Sequence, residues 1–146
     1  MIVRLIKSGK PDGLCHQIAQ KYQNRLKSWV RLEVMEFKND VQVIKFLQDY
    51  SGKPDALVVA LDERGKMWSS PDLARFMDQN LKDPAIKSVN FVVGSPYGLS
   101  EDLKKKCGLS WSLSPAVFPA DLAWILLNEQ MYRAFSILKG SPYHHE

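Results

Sequence analysis

Apolar and polar positions along this chain follow two rhythms that alternate down its length. Short runs at 1–6, 30–37, 56–61 and 88–93 are rich in the branched and aromatic residues of strands. Between them, at 13–29, 40–50 and 70–81, apolar side chains return every three to four residues, as one face of a helix requires. The run Ala56-Leu57-Val58-Val59-Ala60-Leu61 is apolar throughout, the mark of a strand covered on both faces. Strand and helix in alternation predict an α/β fold, a largely parallel sheet flanked by helices. Ser70, with Pro71 behind it, signals the start of the helix at 70–81. Ser100 caps a short helix with Glu101 and Asp102 at its positive end and lysines at 104–106 at its negative end. A short strand at 109–113 and a long helix at 120–138 complete the order. With no repeat, low-complexity stretch or linker, residues 1–146 read as a single domain.

The last helix carries Leu122, Ile125, Leu126 and Tyr132 on one side and Trp124, Leu127, Met131 and Phe135 on another. A helix packed on one side of a sheet normally keeps a wet face, so a second apolar face predicts a subunit interface, most simply in a two-fold homodimer. Glu129 and Arg133, four apart, read as an ion pair beside that interface.

Chemistry is most concentrated in Val92-Val93-Gly94-Ser95-Pro96-Tyr97-Gly98-Leu99-Ser100. Here a strand runs into a turn with a glycine at each end and then a helix cap. α/β proteins place ligands at the carboxyl ends of strands, and glycines let backbone bend and approach a ligand closely.

The composition, 45% hydrophobic and 25% charged, is that of an ordinary globular protein. Cys15 and Cys107 form no CxxC pair, no leader-like start is present and no apolar run reaches the length of a membrane span, so a reduced, cytoplasmic protein is expected. The net charge of +4 arises in residues 1–50, which hold nine Lys/Arg against five Asp/Glu. Lys21 and Arg25 share a helix face with Lys10 and Lys27 near its ends. That stripe reads either as a solvated face or as one turned to phosphates. P-loop, GxGxxG, GxSxG and HExxH motifs are absent. His16, His144 and His145 make a poor ligand set, so no metal is expected. The end Ser141-Pro142-Tyr143-His144-His145-Glu146 is unusually rich in aromatic and imidazole groups.

Five segments together carry a resemblance: Val59-Ala60-Leu61-Asp62-Glu63-Arg64-Gly65-Lys66, Phe91-Val92-Val93-Gly94-Ser95-Pro96-Tyr97-Gly98-Leu99, Leu109-Ser110-Trp111-Ser112-Leu113-Ser114, Glu129-Gln130-Met131-Tyr132-Arg133-Ala134 and Pro142-Tyr143-His144. In order and spacing the chain resembles the RlmH family, large-subunit (23S) rRNA pseudouridine-N3 methyltransferases of the SPOUT superfamily. The resemblance implies a SPOUT α/β domain with a C-terminal deep trefoil knot, an exception to the rule against threaded chains. It also implies S-adenosyl-L-methionine (SAM) as cofactor, a homodimer, no membrane, and a ribosomal RNA substrate met on the assembled ribosome. By carry-over, Leu61, Gly94, Ser95, Leu113, Ser114, Pro115, Ala116, Val117 and Phe118 would bind the cofactor. Tyr143, His144 and Arg133 are the catalytic candidates, because the N3 proton must leave and a base or a cation favours that.

The chain departs from the family pattern at four places. Ser95 stands where a second glycine is usual, adding a side chain beside the cofactor and restricting any positive φ. Ala120 and Trp124 replace a histidine and an arginine, and His145 a basic residue. The alternative reading is therefore a catalytically impaired homologue that binds RNA or ribosome without turnover. A small-molecule enzyme using the same pocket is a third reading.

Overall fold

A computed structural model describes residues 1–145; Glu146, the last residue of the tail, lies outside them. The chain runs β1 (Ile2–Ser8), α1 (Gly13–Leu26), β2 (Arg31–Phe37), α2 (Asp40–Leu47), β3 (Ala56–Met67), α3 (Ser70–Lys82), β4 (Ser88–Val93), α4 (Glu101–Lys105), β5 (Leu109–Ser112) and α5 (Ala120–Leu138). All five strands are parallel, in the order β2-β1-β4-β3-β5. β4 lies at the centre and is buried along its whole length, as its unbroken run of strand formers requires.

Side chains alternate across the sheet and divide the core in two. Leu5, Val59 and Phe91 pack with α1, α3 and α5 on one face, whereas Ile6, Val58 and Val92 pack with α2 and α4 on the other. Gln23 of α1 and Asn128 of α5 are buried polar residues that satisfy each other, Gln23 Nε2 donating to Asn128 Oδ1 at 2.9 Å. On α5, Trp124, Leu127, Met131 and Phe135 form the buried face, and Leu122 on the second apolar face stays 47% exposed.

Three local expectations are corrected. Ser69, not Ser70, caps α3: Ser69 Oγ accepts from Asp72 N at 3.2 Å and Asp72 Oδ2 accepts from Ser69 N at 2.9 Å, a reciprocal capping box that leaves Ser70 Oγ to donate to Gln130 Oε1. The helices expected over 13–29 and 40–50 stop at Leu26 and Leu47, where tighter turns take over, such as Trp29 N donating to Leu26 O at 2.9 Å. β3 runs past Leu61 to Met67, because it pairs with Trp111 twice, at Leu61 and again at Lys66, with residues 62–65 bulging out between.

Candidate functional site

The carboxyl ends of β3, β4 and β5 converge on a cleft of about 300 Å³. Leu61, Gly94, Ser95, Leu113, Ser114, Ala116, Val117 and Phe118, expected there from the sequence, all line it, together with Ala120. Pro115, expected with them, is exposed and does not line the cleft. The size falls at the lower end of the range of about 300–1,000 Å³ usual for small-molecule sites.

The 94–98 turn has the geometry its glycines anticipate. Gly98 has φ +82°, and its N–H donates to Ser95 O at 2.8 Å. A Cβ on Gly94 would lie 2.8 Å from Gly98 C and 2.9 Å from Leu99 N, so the turn folds back on Gly94 closely enough to exclude any side chain there. Ser95 does not suffer the expected conformational penalty, since among the described residues only glycines have positive φ. Its Oγ accepts from Tyr97 N at 3.3 Å. Trp124 is buried in the core and absent from the cleft lining, so neither of these departures plugs the cleft.

Sequence reasoning missed the polar side of the cleft. The bulge of β3 brings Asp62, Glu63 and Arg64 to the rim, facing Lys104 of α4. Asp62 accepts from the Arg64 backbone N at 3.0 Å and lies 3.5 Å from Lys104 Nζ. Burial raises the Asp62 pKa, but the Arg64 N–H and the nearby Lys104 and Arg64 charges outweigh it and hold the carboxyl below its ordinary value. Trp111 was also missed. It forms part of the wall, is 1% exposed, and its indole N–H has no partner among the described residues. The segments Asp62–Lys66 and Leu109–Ser112 hold both signals, but only the pairing of β3 with β5 brings them to one cleft.

Arg133, Tyr143 and His144 come together, though not in the lining of this cleft. Glu129 joins them: Arg133 Nε donates to Glu129 Oε1 at 2.9 Å, and so does Tyr143 Oη, also at 2.9 Å. Arg133 Nη1 stands 3.0 Å from His144 Nδ1, and its guanidinium carbon lies 4.8 Å from the centre of the Tyr143 ring. Desolvation lowers the Arg133 pKa, yet Glu129 reverses this and raises it. For Tyr143, burial and the hydrogen bond to Glu129 both push the phenol up, so it is a neutral donor here. Because Arg133 has only protons to offer, His144 Nδ1 is the acceptor in this contact. His145 is exposed. The tail is thus docked on α5 by the side chains that made it conspicuous in the sequence.

Lys21 and Arg25 of α1 are exposed, as are Lys10 ahead of the helix and Lys27 just after its end. Among the described residues, one group of potential metal-ligand atoms occurs, Asp12, Cys15 and Asp121, and no histidine belongs to it. Helix capping accounts for much of it, since Asp12 caps α1 by accepting from Cys15 N at 2.9 Å. His16 instead lies 2.8 Å from Glu36. Among the described residues, no helix is long and apolar enough to cross a membrane.

Comparison with known proteins agrees with this architecture. A family model described as "Predicted SPOUT methyltransferase" matches residues 1–144. A protein of Alkalilimnicola ehrlichii named ribosomal RNA large subunit methyltransferase H is 37% identical over 155 residues, covering 99% of each chain. One of the same name from Flavobacterium psychrophilum is 34% identical over 161 residues, covering 100% of each. Among solved structures, Lpg2936 from Legionella pneumophila, in complex with bound SAM, is similar in fold at a TM-score of 0.53 and 12% identity, over 91% of this chain and 66% of that one.

Proposed function

Because the chain belongs to the SPOUT methyltransferase family, we propose that it transfers a methyl group from SAM to N3 of a pseudouridine in large-subunit ribosomal RNA. The observation that carries this reading is the cleft itself: the glycine turn after β4 and the 113–118 segment after β5 meet at the strand ends, where an α/β sheet binds its ligand.

The residues present fit the cofactor. Leu61, Leu113, Val117 and Phe118 offer an apolar bed for an adenine, and the Asp62 carboxylate is a polar group within the same walls. When bound, SAM supplies a methyl group activated by its sulfonium. The protein then has to hold the nucleophilic nitrogen in line at attack distance and remove its proton. Arg133 and His144 are the groups we assign to the second task, Arg133 as a cation favouring the anionic base so that the N3 proton can leave to water, and His144, whose Nδ1 accepts from Arg133, as the side chain that holds that guanidinium in place. Tyr143, a neutral donor to Glu129, keeps the tail in place.

In this reading the whole chain works as one SPOUT unit with the family's C-terminal trefoil knot, in the cytoplasm and without a metal. It functions as a homodimer, because Arg133, Tyr143 and His144 do not line the cleft of their own chain and a partner's tail can complete it. The exposed Leu122 beside the half-buried Ile125 and Leu126 supports that interface. Accordingly, Leu122→Glu should weaken the dimer at least tenfold in sedimentation velocity, and an unchanged sedimentation coefficient at micromolar concentration would remove this support.

Two measurements test the function. Calorimetric titration should show SAM binding with a micromolar dissociation constant, and no binding at millimolar SAM refutes the cofactor assignment. Mass spectrometry of 23S rRNA from cells with and without the gene should show one N3-methylpseudouridine lost with it. Assembled subunits should be far better substrates than naked rRNA, since a net charge of +4 gives weak electrostatic grip on RNA.

A further inference from the structure

A lysine is buried behind the glycine turn. Lys7, near the end of β1, is 1% exposed, and its Nζ donates to Gly94 O at 2.9 Å and to Ser8 O at 3.0 Å. Among the described residues no carboxylate lies within 4.0 Å of it. The charged groups that act on it from a distance are Asp121 at the start of α5, Asp40 at the start of α2 and Glu36 on β2. A buried ammonium held by two carbonyls, with no carboxylate in contact, is costly to desolvate.

The next residue works from the opposite face, as strand alternation requires. Ser8 Oγ is hydrogen-bonded to Asp40 Oδ1, and Asp40 Oδ2 accepts from Ser100 N at 2.9 Å. The end of β1 therefore grips the 94–100 loop at both ends, Gly94 through Lys7 and Ser100 through Ser8 and Asp40. The backbone of Gly9 follows directly, with the Cβ of Ser95 3.9 Å from where a side chain on Gly9 would begin.

We propose that Lys7 is a positioning residue that clamps the glycine turn in its cofactor-binding shape. The clamp acts through the Gly94 carbonyl and not on the ligand. This rests on the reading of the cleft as a SAM site, so one arm of the test is independent of any ligand.

The variant is Lys7→Met, of similar length and without charge. Hydrogen exchange on the unliganded protein should show the Gly98 and Ser100 amides exchanging at least tenfold faster than in wild type, with amides of β4 unchanged. SAM affinity, by calorimetry, should fall about tenfold while the urea unfolding midpoint does not fall. A supporting role in the fold alone predicts the reverse, a lower midpoint with the turn amides unmoved. Burial lowers the Lys7 pKa from 10.5, so between the lowered value and 10.5 the unfolded chain binds more protons than the folded one, and wild-type stability gains on the variant as pH rises through that window. Unchanged exchange at Gly98, or a midpoint and an affinity that fall together, overturns the proposal. Failure of wild type to bind SAM refutes the cofactor reading instead, and the exchange arm still decides whether Lys7 holds the turn.

Discussion

Gly94→Ala should weaken SAM binding at least a hundredfold while the protein stays folded. The added Cβ would sit 2.8 Å from Gly98 C, 2.9 Å from Leu99 N and 3.0 Å from Gly98 O, all backbone atoms that cannot rotate aside. Relief requires the 94–98 turn to open, and opening it carries Ser95 and Gly98 away from the 113–118 wall that they face across the cleft. Overpacking of this kind costs about 1–3 kcal/mol, less than the stability of a typical domain, so the loss is concentrated at the cleft. Calorimetry with SAM and a urea titration on one sample separate the two effects. Gly13→Ala is the matched control: nothing lies within 4 Å of a Cβ there, and alanine favours the helix it begins. Equal SAM affinity in Gly94→Ala and wild type would mean that the turn does not shape the site.

That turn is legible in the sequence because its signal is local: a strand, two glycines and a helix cap within nine residues. β4 is legible for the same reason, and its observed bounds, Ser88–Val93, are the expected ones. What stays hidden depends on pairings between distant segments. Residues 62–65 are polar and have no alternation, so they read as the end of β3, and only β5 returning to pair at Lys66 makes them a bulge over the cleft. Asp62 and Lys104 meet across 42 positions of sequence, a distance no periodicity reports. Lys7 stands in the run Ile6-Lys7-Ser8 as a charge inside a strand, which is the available signal for a buried functional lysine. Its meaning nonetheless requires the Gly94 carbonyl to be placed beside it. The two faces of α5 are separable from spacing alone, and the buried one is the face with Trp124 and Met131. Spacing carries no hint that Tyr143 folds back to Glu129, because a tail has no period.

The largest loss of stability is expected at Trp111, where core and cleft share one side chain. It is 1% exposed, stacks on Trp68 at 5.6 Å between ring centres and meets the edge of Phe91 at 6.0 Å. It is also the residue on which β5 pairs twice with β3. Trp111→Ala removes the indole and leaves a void between rigid neighbours, a change that costs about 3–5 kcal/mol and so removes a large share of the ~5–15 kcal/mol that holds a domain together. Trp111→Phe should cost much less than the lost volume suggests, because it also removes a buried N–H that has no partner and whose desolvation costs about 1–3 kcal/mol. Urea unfolding followed by far-ultraviolet circular dichroism gives both values. Alanine should shift the midpoint far below wild type, with phenylalanine close to it. SAM affinity should follow the same order, since β5 leads directly into the 113–118 wall. If alanine and phenylalanine destabilise equally, the indole N–H is satisfied in solution and Trp111 holds the fold through that bond, not through its bulk.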